Sequence, residues 1–264
     1  VRKVIGTAAI VMIGFLYVPI VAVVAYSFNA SPVSYRWDGL TLDWYAALLQ
    51  DAPLLAALRT SLLLGVLAGA IATAIGFLSA YALHRFPIRG KGVLLAAVAV
   101  PLVVPEIVIG VALLRTFSTV GLQNGLLTLV LGHIVIALPM ATFVLLGAMR
   151  ALDPSVHEAA SDLGAGVLGT FWRVTLPILR PAILAAFLLS FTTSFSNIAI
   201  STFTAGVGTT TLPIRIYSSV RTGLTPELNA LGSLMVVLTL VVILVVGVGQ
   251  MRRILAGSAP GSTP

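Results

Sequence analysis

A chain of 264 residues that is 59% hydrophobic and only 9% charged lies far from the soluble balance of roughly half apolar and a quarter charged, which excludes an ordinary water-soluble core. The net charge of +7 does not mark a nucleic-acid binder, because the bases fall between apolar segments and not on a polar module with interleaved aromatics. Cysteine is absent, so disulfides, thiolate metal sites and thiol nucleophiles are excluded too.

Apolar stretches near the ~20 residues needed to cross a bilayer recur along the chain. They predict an all-α polytopic membrane helical bundle of six transmembrane helices, one domain over residues 1–255. The first, Val4 to Phe28 behind Arg2 and Lys3, is too long for a signal-peptide core and shows no obvious cleavage site, so it reads as a retained helix. The loop from Asn29 to Arg59 carries Trp37, Trp44 and Tyr45, rings suited to the outer headgroup level. The second span, Thr60 to Leu83, holds Gly65 and Gly69, continued by Thr73 and Gly76, a stripe that lets another helix approach closely. Pro101 and Pro105 interrupt the third, Val93 to Thr116, which is therefore expected to bend and to face the bundle interior. The fourth, fifth and sixth are Gly125 to Met149, Leu179 to Phe203 and Leu228 to Gln250, and the Gly-, Ser- and Pro-rich tail 256–264 is expected to be disordered.

Six spans put both termini on one side. If that side is the cytoplasm, the inner segments hold Arg2, Lys3, Arg85, Arg89, Lys91, Arg150, Arg173, Arg180, Arg252 and Arg253 against Asp153, Glu158 and Asp162, ten bases against three acids. The outer segments then balance at zero, with Arg36, Arg59, Arg115, Arg215 and Arg221 against Asp38, Asp43, Asp51, Glu106 and Glu227. This asymmetry fixes the expected orientation by the positive-inside rule.

The inner loop 150–178 reads as folded. Asp153 followed by Pro154 is a helix start, since a carboxylate caps free amides and proline suits the first helical position. A helix over Ser155 to Leu163 is expected to end at Gly164, which is free to take positive φ, and a second short helix over Val167 to Val174 to stop before Pro177 and Pro181. By its residue types alone this is also what an amphipathic interfacial hairpin looks like. The run Glu158, Ala159, Ala160, then Gly164, and later Phe171, Val174, Leu176 and Pro177 resembles the EAA coupling loop of type I ABC importer permeases. In that family the loop docks into a groove of the ATPase subunit. The resemblance therefore implies an ATPase-coupling role for Glu158, Ala159, Ala160, Asp162, Gly164, Phe171 and Pro177.

The resemblance extends from about Tyr26 to Gln250. Trp44-Tyr45, Pro105-Glu106-Ile107-Val108, Leu189-Ser190-Phe191-Thr192, Thr211-Leu212-Pro213 and Pro226-Glu227-Leu228-Asn229-Ala230 look like the second permease of spermidine/putrescine-type importers. It implies a bacterial inner-membrane, multi-pass subunit with both termini cytoplasmic. Its implied partners are an ATP-binding cassette dimer, a second permease, an extracytoplasmic solute-binding protein and the lipid bilayer, with no nucleic acid. ATP and Mg would be bound by the ATPase, and this chain would hold no cofactor and perform no bond chemistry. One departure bears on the solute: those permeases commonly carry paired aspartates where this chain has Ser196-Asn197. An opine, an aminophosphonate or an amino-acid derivative is then an alternative to a polyamine.

The sequence also offers candidates of its own. Glu106 lies inside the third span, where a carboxylate is costly unless it lines water or meets a partner. It reads either as part of the solute path or outer gate, or as paired with a base such as Arg115 or hydrogen-bonded for structure. Ser194, Ser196, Asn197 and Asn229 either hydrogen-bond solute or join helices. His133, in the fourth span, is a functional candidate whose preferred reading is hydrogen-bonded packing, and His84 and His157 read as interfacial surface groups. The three histidines have no metal-ligand spacing, no GxxxxGK[ST] loop exists, and the region Arg89-Gly90-Lys91-Gly92 lacks the upstream glycine. A stand-alone secondary transporter would show inverted repeats and ion-coupling groups, and an intramembrane enzyme would need paired acids or a Ser/His arrangement. Neither pattern is found.

Overall fold

The structure is a computed structural model, and it describes residues 2–32, 36–223, 226–237, 240, 241 and 244. In chain order the helices are α1 Arg2–Tyr26, α2 Asp43–Gln50, α3 Ala52–Arg85, α4 Lys91–Val103, α5 Glu106–Thr119, α6 Leu126–Arg150, α7 Pro154–Asp162, α8 Val167–Thr170, α9 Leu176–Ser196, α10 Ala199–Thr204 and α11 Leu212–Thr222. Residues 226–237 are also helical. Among the described residues no strand forms beyond a single bridge between Asn29 and Leu40. Four of these helices are long and apolar enough to cross a membrane, five if the bent pair α4–α5 is one span. Much of the sixth expected span, and the whole tail 256–264, fall outside the described residues.

The chain separates into two compact parts, Pro53–Arg215 and the remainder. In the remainder, α1 exposes apolar side chains all along its length, such as Ile10, Phe15 and Val21, as a helix facing hydrocarbon does. The loop after it is tied down from within. Asn29 is fully buried, its Oδ1 accepts from the Ser31 and Asp38 N–H groups, and its carbonyl accepts from Trp44 Nε1–H at 2.7 Å. Tyr45 Oη lies 2.7 Å from Ser27 Oγ and donates to Ser233 Oγ at 3.3 Å. Of the three aromatic residues expected at the headgroups, Trp44 and Tyr45 thus place their polar ends on protein, while Trp37 is 52% exposed.

The part Pro53–Arg215 is built on α3, α6 and α9. Phe77, Ala80 and Leu83 of α3 pack with Ala141, Leu145 and Met149 of α6 and with Leu179 and Ala186 of α9. Lipid removes the hydrophobic drive for helices to associate, so close van der Waals packing carries this contact. The glycine stripe supplies the closeness. A Cβ on Gly76 would stand 2.9 Å from Ala141 Cβ and 3.0 Å from Thr142 N, and one on Gly65 would stand 2.8 Å from the Phe191 ring. Gly76→Leu must therefore push α3 from the α6 backbone. It is expected to destabilise the protein by about 1–3 kcal/mol, read as a lower melting temperature in detergent. Gly92→Leu is the control, since a Cβ there meets nothing within 4 Å. Equal melting of the two variants would refute the packing role.

One element meets its sequence expectation in a sharper form, and two depart from it. The third span is folded back, not merely bent: α4 and α5 meet at 104°. Pro105 drives the preceding residue out of the helical region, so Val104 (ψ 133°) and Pro105 (ψ 130°) are both extended and turn the chain. The fifth span does not run to Phe203. It stops at Ser196, Asn197 is extended (ψ 123°), and its Oδ1 accepts from the Ile200 N–H at 2.8 Å to start α10. The second loop helix does not stop before Pro177. It runs on through a π-helical turn, Phe171–Thr175, directly into α9. A proline ring clashes with the carbonyl four residues back; the wider turn, with Leu176 N–H bonded to Phe171 O, relieves that clash at Pro177 without breaking the rod.

Candidate solute site and coupling loop

The two breaks in the spans meet. Asn197, 7% exposed at the end of α9, donates from Nδ2 to Glu106 Oε2 at 2.7 Å, and Glu106 is the first residue of α5. The position suits a carboxylate, because free N–H groups and the helix dipole favour negative charge there. Glu106 is exposed on the isolated chain. An ionised carboxylate accepts about four hydrogen bonds, and Asn197 supplies one, which leaves capacity for a cationic or hydrogen-bond-donating solute. The expected alternative of an Arg115 partner is not what the structure shows: Arg115 is nine residues further along the same helix, about 13 Å up its axis, and the carboxylate is met by an amide.

Behind Asn197 stands a buried polar row. Ser201 Oγ donates to the Asn197 carbonyl at 2.9 Å, His133 Nε2 lies 3.0 Å from Ser201 Oγ, and His133 Nδ1 lies 2.8 Å from Ser194 Oγ. His133 and Ser201 are fully buried and Ser194 nearly so. Of the expected solute-path residues, Glu106, Asn197 and Ser194 thus belong to one connected group. Ser196 does not: it is exposed, and its hydroxyl donates back to the Thr192 carbonyl at 2.8 Å. Asn229 lies half-buried in 226–237, in the other compact part. Ser201 was absent from the expectation, since nothing local distinguishes a serine inside the expected fifth span.

The loop 150–178 has the anticipated start and turn. Asp153 Oδ1 accepts from the Ser155 N–H at 2.9 Å. That backbone bond, and after it the Ser155 hydroxyl, holds the Asp153 carboxyl below the usual carboxylate range. The cap is therefore in force above that range and is lost as pH falls through the lowered value. Gly164 has φ +76°, and the Ala165 N–H reaches back to the Ala160 carbonyl at 3.0 Å, the wrapped helix end that a left-handed residue permits. Glu158, Ala159, Ala160 and Asp162 lie on α7, with Ala160 buried and Ala159 and Asp162 exposed. Phe171 faces inward, its ring 5.1 Å from Tyr81 and 5.8 Å from Phe77, and so anchors the loop to α3. Leu163, Leu168 and Trp172 are 89%, 71% and 59% exposed. They are the apolar surface the loop presents, a feature missed in the motif-based reading.

Long apolar helices, two of them broken where a carboxylate and an amide meet, describe a polytopic membrane protein. The chain belongs to the family of binding-protein-dependent transport system inner membrane components, whose model matches residues 72–255, and it is a permease of the type I ABC importer class. It is 36% identical to the spermidine/putrescine transport system permease protein PotC of Haemophilus influenzae over 233 residues, 88% of this chain and 91% of that one. It is 38% identical to the putrescine transport system permease protein PotI of Escherichia coli K12, over 83% and 81% of the two chains. A crystal structure of a bacterial alginate ABC transporter in complex with its alginate pentasaccharide-bound periplasmic protein contains a chain of the same fold, with TM-score 0.71 at 17% identity, covering 96% of this chain and 94% of that one. A second alginate importer structure gives 0.67 at 17% identity, over 94% and 96%.

Proposed function

We propose that the chain is one of two permease subunits of an ATP-driven, binding-protein-dependent importer of a small polyamine. Both termini and the loop 150–178 face the cytoplasm, where the loop engages an ATP-binding cassette dimer that binds ATP and Mg. A solute-binding protein delivers solute from outside to a path that passes Glu106. The observation that carries this reading is the exposed Glu106 carboxylate held by Asn197 where two spans break, and the names of the relatives supply the solute class. Discontinuous spans placing charge and free backbone groups at mid-membrane are a recurrent way to build a transport site.

The same geometry favours a solute with fewer charges than spermidine. Asn197 gives Glu106 a neutral donor where a second carboxylate would stand in the resembling permeases, so this chain offers one negative charge there. A charge-assisted hydrogen bond is worth about 1.5–3 kcal/mol, so one contact fewer corresponds to a roughly tenfold or greater loss for an extra ammonium. Uptake into proteoliposomes holding the complete importer tests both points with one binding protein throughout. ATP-dependent accumulation of labelled putrescine is expected, with unlabelled putrescine competing about tenfold better than spermidine and Asn197→Asp narrowing the gap. Uptake of spermidine that Ser196→Asp with Asn197→Asp leaves unchanged would show that this pair does not set solute charge. No amine uptake at all would move the solute to an amino-acid derivative or another polar compound.

A further inference from the structure

We infer that His133 is a positioning residue for the solute site, a neutral imidazole protonated on Nε2 that fixes Asn197, and through it Glu106, from the side facing away from solute. The direction of each hydrogen bond follows from counting protons. Ser201 has one hydroxyl hydrogen, and it goes to the Asn197 carbonyl at 2.9 Å. Toward His133 Nε2, 3.0 Å away, Ser201 Oγ can then only accept, so Nε2 carries a hydrogen. A neutral imidazole has one N–H and one acceptor; Nδ1 is therefore the acceptor, and Ser194 Oγ donates to it over 2.8 Å. The result is a one-way series, Ser194 to His133 to Ser201 to the Asn197 carbonyl, with the Asn197 amide donating onward to Glu106 at 2.7 Å.

The series ties together α9, α6, α10 and the start of α5. It does so at the residue where α9 has lost its own ladder: Asn197 is extended, and its carbonyl is taken by Ser201. His133 is 0% exposed and touches solute nowhere. Its effect passes through the orientation of one peptide unit, since turning the Asn197 carbonyl from Ser201 also turns the side chain that meets the carboxylate. An aliphatic residue at 133 would fill the space, leave the buried Ser194 hydroxyl without its acceptor and take from Ser201 Oγ the donor opposite its bond to Asn197, a loss of buried pairing that proteins avoid.

This inference rests on the proposed solute site, and two measurements keep its failure separate from the failure of that reading. The first involves no transport. The full chain, purified in detergent with 15N-labelled histidine, contains three histidines, and the His133 signals are those missing from His133→Gln. Protonation on Nε2 is expected, while a Nδ1-protonated or doubly protonated ring at neutral pH would overturn the assignment. The second uses the assembled importer with labelled putrescine as probe. Gln places an amide donor near the Nε2 position and Asn does not, so His133→Gln is expected to keep the wild-type apparent KM. His133→Asn is expected to raise it about tenfold, equivalent to about 1.4 kcal/mol, with Vmax changed far less. A purely structural histidine would lower the assembled amount or Vmax in both variants and leave KM alone, and that outcome would overturn the positioning role. Absence of putrescine uptake by the wild type would count against the solute reading, and the nitrogen signals would then still decide on His133.

Discussion

Replacing Gly164 with valine is expected to abolish solute-stimulated ATP hydrolysis and to lower uptake more than tenfold, an effect of at least about 1.4 kcal/mol. The cause is backbone conformation alone, because a Cβ at Gly164 would meet nothing within 4 Å while φ is +76°. Holding a β-branched residue in the left-handed region costs of order 1–3 kcal/mol, and the Ala165 to Ala160 bond that wraps the end of α7 depends on that turn. Gly164→Asn should retain most activity, since asparagine tolerates this conformation. Co-purification of the complex distinguishes lost assembly from lost coupling. Wild-type stimulation in the valine variant would show that the turn is not used.

The second large effect is expected at Glu106. Glu106→Gln keeps the side-chain length and an oxygen for the Asn197 amide, yet removes the charge. If the carboxylate meets an ammonium group, apparent affinity should fall about 10- to 150-fold, the equivalent of 1.5–3 kcal/mol for a hydrogen bond to a charged group. Glu106→Asp should fall between, with the charge kept but withdrawn by one methylene. Unchanged uptake kinetics in Glu106→Gln would make the carboxylate a helix-start residue and nothing more. The contrast with His133 is informative. Loss of charge at Glu106 removes an interaction with solute, while the histidine changes act through geometry, so the conservative variant is damaging at one position and tolerated at the other.

What the sequence made legible was local. Asp153 and Pro154 at a helix start, Gly164 at its end, and the break at Pro105 are each set by a residue whose backbone chemistry admits few alternatives, and all appear in the structure, whereas Pro101 lies inside the unbroken α4. The glycine stripe on the second span likewise meets close neighbours on α6 and α9. The break at Asn197 was not legible. It has neither proline nor glycine, and its polar residues read equally well as a helix face. The row around His133 joins residues 61 and 68 positions apart, so nothing in the local pattern could reveal it. Pro177 misled in the other direction. A proline normally ends a helix or begins one, but here a π-turn widens the backbone ahead of it. Of the two fates weighed for Glu106 off the solute path, pairing with Arg115 and a structural hydrogen bond, the structure shows a hydrogen bond, from the neutral amide that follows another helix.

The π-turn also has a mechanical consequence. Residues Leu168–Ser196 form one uninterrupted stretch of 29 residues, about 44 Å long at 1.5 Å per residue. The Gly164 turn sits just ahead of one end and the extended Asn197 just beyond the other. A rod of that kind behaves as a crank. Torque applied beside the turn would pass to Asn197 along this helix, which accommodates Pro177 and Pro181 without a break and which Phe171 braces against α3. The compliant joint then lies where the rod ends, and the bond between Asn197 and Glu106 spans from that joint to α5. A push delivered at the membrane surface would be spent on the carboxylate's grip.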